Sequence, residues 1–571
     1  MSLDLRILGV IVHSILLYSI FDIYYTSPII GGLPSHNPSK GQPPSKRLFL
    51  ISADGLRYDT FSENEHLSPF IHSVIREGYA VSGISFSHVP TESRPGHIAM
   101  VAGFTEDVSA VARGWKENPV QFDTLFNRSD RSFQWGSEDI THLFSNIPRV
   151  NTSSFPSHME DFSSLDNWKL DQWVFDQVEM FIRSPSFSSH INHPRLFFFL
   201  HLVGLDTNGH GHKPHSQLYK QNIKVVFQDD DTSFIFTSDH GMTDWGSHGG
   251  GSNQEIETPF VVWGSGVTKG LSHENISQID LCPLMSALLG ISPPINNHGI
   301  LPHHLLNSTP QYVLSCTMSN FLQLKEIVDV GIASAANRIW GRWSVNREAL
   351  GEKALTSLIN QVRTLERQGR YLPAISLLSS QIGLVQSSIF YYHRKIDICP
   401  APSSSILSIL SPYQQVFIIF MDCCVEGCVY LSHSIFILSS ISSGNLASLS
   451  SFDPSSLSRL VSVFSPFTMA ALLLLKLLTP LLLITLHIRC CLPSSSALSS
   501  LSIRCLILTD LLAILFFWQL RDNGSWLDIG MSIAHFVISV CTSVALYLFL
   551  ILSDFLLTSS FQPTHMHFST A

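Results

Sequence analysis

The chain has 571 residues, more than one ordinary domain carries. Its 45% hydrophobic content and positive mean hydropathy lean towards a membrane protein. A net charge of −10, from 34 basic and 44 acidic side chains, excludes the basic face of a nucleic-acid binder. The average hides a split: charge and histidine gather in the N-terminal half, whereas Leu, Ile, Ser and Phe dominate beyond residue 400.

In chain order, residues 1–6 form a short tail expected to be cytosolic. Residues 7–25 form an apolar run long enough to span a bilayer. No small-residue cleavage site follows it, so a retained signal anchor is expected rather than a cleaved signal peptide. Residues 26–46, rich in Pro, Gly and Ser, read as a linker. Short apolar runs then occur at 47–52 (RLFLIS), 196–203 (LFFFLHLV), 233–237 (SFIFT) and 259–263 (PFVVW). Each reads as a buried strand, and the intervening segments 67–77 and 171–183 read as helices. This alternation predicts an α/β domain over 47–310 with a mostly parallel sheet covered on both faces.

Residues 311–400 read as an amphipathic helical connector, with a stop at Gly369 and Pro373. Beyond 401 come about five apolar segments, near 406–421, 425–441, 466–488, 506–520 and 533–557. They predict an all-α multi-span membrane region over 401–571. All ten cysteines lie at or after Cys282, so any globular domain within the first 281 residues of the chain stands without disulfides. Cys423, Cys424, Cys428, Cys490 and Cys491 fall in apolar surroundings and read as buried thiols rather than a zinc knuckle. Sequons at Asn127, Asn151, Asn275 and Asn307 all lie between the first span and the membrane block, which favours a lumenal or extracellular setting.

Three of the predicted strands are followed by residues of metal-ligand type. The first runs into Asp54 in "SADGLRYD". The second precedes "GLDTNGHGH", with Asp206, His210 and His212. The third ends at Asp239 and His240, with Asp244 and His248 further on. Open parallel sheets build their sites beyond the carboxyl ends of the strands. One such coincidence is weak; three strand ends delivering Asp and His to one edge predict a metal centre. For His212 and His215 taken alone, a solvated turn is the better reading. The Asp and His donors suit zinc at about four ligands per ion, so the number of candidates points to two ions. A two-metal centre suits in-line displacement at phosphorus. The segment "VPTESRPGHIAM" offers the attacking hydroxyl: Thr91 precedes an expected helix start with Pro95 in its first turn. Taken alone, Thr91 would be only a helix cap.

The set "SADGLRYD", "PTESRPGH", "LVGLDTNGHGH" and "FTSDHGMTDWGSHGGG" resembles the alkaline phosphatase superfamily. Within it, the chain is similar to the GPI ethanolamine phosphate transferases, most closely those acting on the first mannose. "SIFDIYYTSPI", "EDVSAVARGWKENPVQFDTLFN" and "NGSWLDIGMSIAHFVIS" share that likeness. The resemblance implies an alkaline-phosphatase-like lumenal domain in a multi-pass membrane protein of the endoplasmic reticulum. It implies transfer of phosphoethanolamine from phosphatidylethanolamine to a mannosylated GPI precursor through a phosphoryl-threonine. It also implies two zinc ions, one held by Asp54, Thr91, Asp239 and His240 and the other by Asp206, His210 and His248, with Thr91 as nucleophile. Asp244 takes no role from the resemblance and reads as a turn residue.

Two departures stand out. The membrane region is much shorter than in that family, and only residues 213–231 separate the second metal motif from "FTSDHGM". A crossover helix over 217–227 would just return the chain across the sheet. Two other readings stay open: a phosphodiesterase of the same superfamily that uses water as acceptor, and a membrane protein whose shortened segments impair catalysis.

Overall fold

The computed structural model describes residues 29–394, apart from 107–121, 161–165, 186, 188–190, 192, 214–230, 271–272 and 337–351. The expected signal anchor, the expected crossover helix with His215, and the expected multi-span region therefore lie outside the described residues.

Eight strands form one sheet: β1 (Arg47–Ala53), β2 (Ala80–Phe86), β3 (Arg131–Gly136), β4 (Val150–Ser154), β5 (Leu196–Leu202), β6 (Thr232–Thr237), β7 (Glu257–Gly264) and β8 (His273–Ser277). Their order is β4-β3-β5-β1-β6-β7-β2-β8. β1 is central and runs parallel to both β5 and β6, whereas β7 is antiparallel to both of its neighbours. The sheet is thus mixed but mostly parallel. The four apolar runs legible in the sequence are β1, β5, β6 and β7. β2, β3, β4 and β8 are more polar; β4 (VNTSS) and β8 (HENIS) are edge strands with one partner each.

Alternate residues of the central strands feed two cores, as the two-residue period of a strand requires. Leu48, Leu50, Phe197 and Phe199 point into one core; Phe49, Ile51, Phe198 and Leu200 point into the other. The second core is closed by helix α1 (Pro69–Arg76) through Ile71 and Val74, and by helix α3 (Trp168–Arg183) through Val174 and Val178. The first is closed by helix α2 (Ser93–Ala102) and helix α5 (Leu281–Leu289). Helix α4 (Gly204–His212) follows β5 directly.

The expected helical connector is helical where described, but it is not a separate spacer. Helices α6 (Pro310–Ala336), α7 (Glu352–Arg367) and α8 (Tyr371–Arg394) contribute Phe321, Leu324, Leu358, Leu378 and Ile382 to the first core. Pro373 sits in the first turn of α8, where it lacks only a hydrogen bond that no helix makes there. By length and composition α8 is long and apolar enough to cross a membrane. One face of it, with Ala374, Leu378, Ile382, Val385 and Ile389, is buried in the core. The Pro- and Gly-rich linker is an irregular strap tied along the same side: Ile30 N–H donates to Asn296 Oδ1 (2.8 Å) and Ser39 N–H to Ser315 Oγ (2.7 Å).

Candidate metal centre

Asp54 follows the last residue of β1, Asp206 lies in the first turn of α4 just after β5, and Asp239 and His240 follow β6. Because β5, β1 and β6 are adjacent and parallel, with Ala53 opposite Leu202 and Ser52 opposite Thr237, their ends deliver these side chains to one place. Three groups result among the described residues, each with ligand atoms within 4.8 Å of one another: Asp54, Asp239 and His240; Asp206, His210 and His248; and, sharing Asp54, the fully buried set Asp54, His97 and His201. Asp206 and His210 are one helical turn apart on α4, so they share a face. Their Oδ2 and Nε2 atoms lie 3.4 Å apart. Asp171 of α3 accepts a hydrogen bond from Gly204 N–H (2.9 Å) and so fixes where α4 begins. His210 Nε2 faces His248 Nε2 at 3.0 Å, and the His248 ring stacks on that of His240 with centroids 4.0 Å apart.

Close backbone packing makes this possible. Gly55 has φ +70°, and a Cβ there would lie 2.9 Å from Asp206 Oδ1. A Cβ on Gly96 of α2 would lie 2.7 Å from Asp239 O, so a glycine lets the helix approach the β6 end. The buried pair of Arg94 and Glu106 anchors the same helix (Nε to Oε2, 2.9 Å).

The electrostatics are those of a cation site. Burial, then neighbouring Asp239 and Asp206, pushes the Asp54 carboxyl well above the usual range. Burial opposes ionisation of Asp239 and Asp206 too, yet both are held below the usual range. His240 and His97 do this for Asp239, and His210, His248 and His240 do it for Asp206. Asp239 Oδ2 and Asp206 Oδ1 are buried with no hydrogen-bond partner. An orphaned buried carboxylate oxygen is costly. One in each of the first two groups, among Asp and His donors only, fits a zinc ion in each of those two.

Thr91, expected as ligand and nucleophile, lies against the glycine turn. It is fully buried, and its hydroxyl donates to Gly250 O (2.7 Å) and accepts from Gly249 N–H (2.9 Å). The backbone of the glycine turn thus engages that hydroxyl. Its carbonyl accepts from His248 Nδ1 (2.8 Å), which orients that ring. A second hydroxyl, that of Ser93, first residue of α2, has its Oγ 3.4 Å from both Asp54 Oδ1 and His240 Nε2.

Sequence reasoning also passed over two histidines. His201 Nε2 lies 2.7 Å from Asp54 Oδ2, and burial, then His97, lowers the His201 pKa to about 3. His97 Nδ1 lies 2.6 Å from Ser93 O, and its Nε2 lies 3.0 Å from Ser52 Oγ. Their signals were present: His201 is the one polar residue in "LFFFLHL", and His97 lies four residues after Ser93. Asp244 accepts from Arg57 (2.6 Å) and Gln254 (3.2 Å) and belongs to none of the groups. His212, half-buried at the end of α4, also belongs to none.

Against known proteins, residues 428–525 match the family described as phosphatidylinositolglycan class N (PIG-N). Residues 224–291, which carry Asp239, His240 and His248, match the sulfatase family. GPI ethanolamine phosphate transferase 1 of Mus musculus and that of Homo sapiens are each 40% identical to this chain over 434 residues. The chain is a relative of the GPI ethanolamine phosphate transferases. Those alignments take in 68% of this chain and 46% of each relative, so it spans about half their length. The Schizosaccharomyces pombe transferase 1 is 37% identical over 382 residues, or 58% of this chain and 40% of that one. Among solved structures, the soluble domain of lipooligosaccharide phosphoethanolamine transferase A from Neisseria meningitidis is similar over 46% of this chain and 93% of its own. Its identity is 13% and its TM-score 0.31. Alkaline phosphatase PafA is similar over 47% of this chain and all of its own, at 9% identity and TM-score 0.34. Scores this low carry no weight for the site.

Proposed function

We propose that the chain transfers phosphoethanolamine from phosphatidylethanolamine to the first mannose of the GPI precursor, in the endoplasmic reticulum membrane with the α/β domain lumenal. The observation that carries the reading is Ser93 Oγ, 3.4 Å from Asp54 Oδ1 and from His240 Nε2 at the start of α2. The four sequons support the lumenal setting, because Asn127, Asn151, Asn275 and Asn307 are all exposed.

Asp54, Asp239 and His240 would hold one zinc ion, and Asp206, His210 and His248 the other. Bound there, the ions would supply Lewis-acid stabilisation of the attacking and leaving oxygens. The chain's own residues do the rest. His201 fixes the Asp54 carboxylate from behind, the arrangement that orients a ligand. The start of α2 presents Ser93 where the helix dipole favours an oxyanion. Ser93 Oγ gives up its proton and forms a bond to the donor phosphorus as the bond to the diacylglycerol oxygen breaks; that oxygen takes up a proton and diacylglycerol leaves, with phosphoethanolamine on the serine. A mannose hydroxyl then forms its bond to phosphorus, and Ser93 Oγ departs. The resemblance placed this role on Thr91; the Thr91 hydroxyl is held by Gly249 and Gly250.

Supplying purified full-length chain with phosphatidylethanolamine and a mannosylated GPI precursor tests the proposal. The expected products are diacylglycerol and a precursor bearing phosphoethanolamine on its first mannose. Release of free phosphoethanolamine with an unmodified acceptor would make the chain a phosphodiesterase instead.

A further inference from the structure

Glu92 precedes Ser93 and is the N-cap residue of α2, with its side chain engaged in no cap hydrogen bond. Its side chain is 34% exposed, beside His248 of the second group. His248 Nδ1 lies 3.4 Å from Glu92 Oε2, and His240, His210, Asp206 and Asp239 also act on the carboxyl electrostatically. The His248 nitrogen is already engaged by Thr91 O at 2.8 Å. No lysine or arginine pairs with Glu92 among the described residues. A glycine lets the carboxylate sit where it does: a Cβ on Gly249, where φ is +108°, would lie 2.8 Å from Glu92 Oε1. A half-buried carboxylate with no Lys or Arg beside it carries a desolvation cost that a bound cation would offset.

We infer that Glu92 is the specificity determinant for the transferred headgroup, its carboxylate binding the primary ammonium of the ethanolamine while the phosphorus faces Ser93. This rests on the function proposed above. The headgroup carries its ammonium two carbons beyond the phosphate ester, and Glu92 is the carboxylate adjacent in sequence to the attacking hydroxyl. An ammonium recognised there selects ethanolamine over an uncharged alcohol of the same size. The charge meeting it is distinct from the carboxylates of Asp54, Asp206 and Asp239, which face the cation groups.

The test is a binding measurement on the zinc-loaded full-length chain, with O-phosphoethanolamine and ethyl phosphate as probes, which differ by the ammonium. The parent chain is expected to bind phosphoethanolamine about tenfold more tightly, a difference worth about 1.4 kcal/mol. Glu92→Gln should erase that preference while zinc content stays at the parent value, and Glu92→Asp should keep part of it. A preference that survives in Glu92→Gln overturns the inference, as does its absence from the parent. Zinc lost from Glu92→Gln would make the residue a metal ligand and overturn it equally. Because the readout is binding, it stands apart from turnover. A parent chain that prefers phosphoethanolamine yet releases no diacylglycerol would sink the transferase reading and leave Glu92 recognition intact.

Discussion

Thr91 and Ser93 are two residues apart, and their hydroxyls meet different surroundings. Thr91 is tied to the Gly249–Gly250 turn, whereas Ser93 faces Asp54 and His240. Substitution separates the two roles. Ser93→Ala should lower transfer by about a thousandfold or more, the scale expected when the nucleophile of a covalent mechanism is lost. Thr91→Ala keeps the attacking hydroxyl and should retain transfer within about tenfold. It should cost about 1–2 kcal/mol of stability, because Gly249 N–H and Gly250 O lose their buried partner. Transfer assays with thermal melts on both variants check this, and the reverse ranking would return the nucleophile to Thr91. The sequence "TESRPGH" holds both hydroxyls before the same helix. Nothing in their spacing distinguishes them; the turn that captures Thr91 lies more than 150 residues away.

At the scale of elements, the centre depends on how closely backbones approach. β8 pairs with β2 beside Gly83, where an added Cβ would fall 1.7 Å from Glu274 O. Gly83→Ala should therefore displace the edge strand and cost about 1–3 kcal/mol, the range for overpacking. Amide hydrogen exchange should speed up in β8 while β1, β5 and β6 keep their protection. Unchanged exchange in β8 would mean that the two strands part without cost. The four strands legible in the sequence are apolar because both of their faces are covered. β4 and β8 escaped notice because an edge strand with a wet face has no continuous apolar run. The antiparallel direction of β7 was equally hidden, since a buried strand reads the same in either direction.

At the scale of the whole molecule, the two proposed zinc groups are separable in ligands but share one edge of the sheet. His248→Ala should remove one ion and leave the group of Asp54, Asp239 and His240, so zinc analysis should fall from about two ions per chain to about one. Two ions retained in that variant would count against the assignment. Four exposed sequons on the α/β domain predict a mobility shift on endoglycosidase treatment of the chain made in a secretory system. Absence of a shift, with the sites accessible to the transferase, would put the domain on the other side of the membrane.

Composition and the placing of apolar runs indicated the class of the domain and its mostly parallel sheet, whereas the sharing of seven residues between two zinc ions and a nucleophile came from the family resemblance. Asp54, Asp206, Asp239 and His240 were legible because a parallel sheet presents ligands at its strand ends, which a sequence displays as an apolar run followed by Asp or His. Tertiary structure decided which hydroxyl faces the centre, that His201 and His97 support it, and that α6–α8 join the core. Each of these depends on contacts between segments far apart in the chain. Ser93, Asp54 and His240 meet only because α2 packs, through Gly96, against the end of β6.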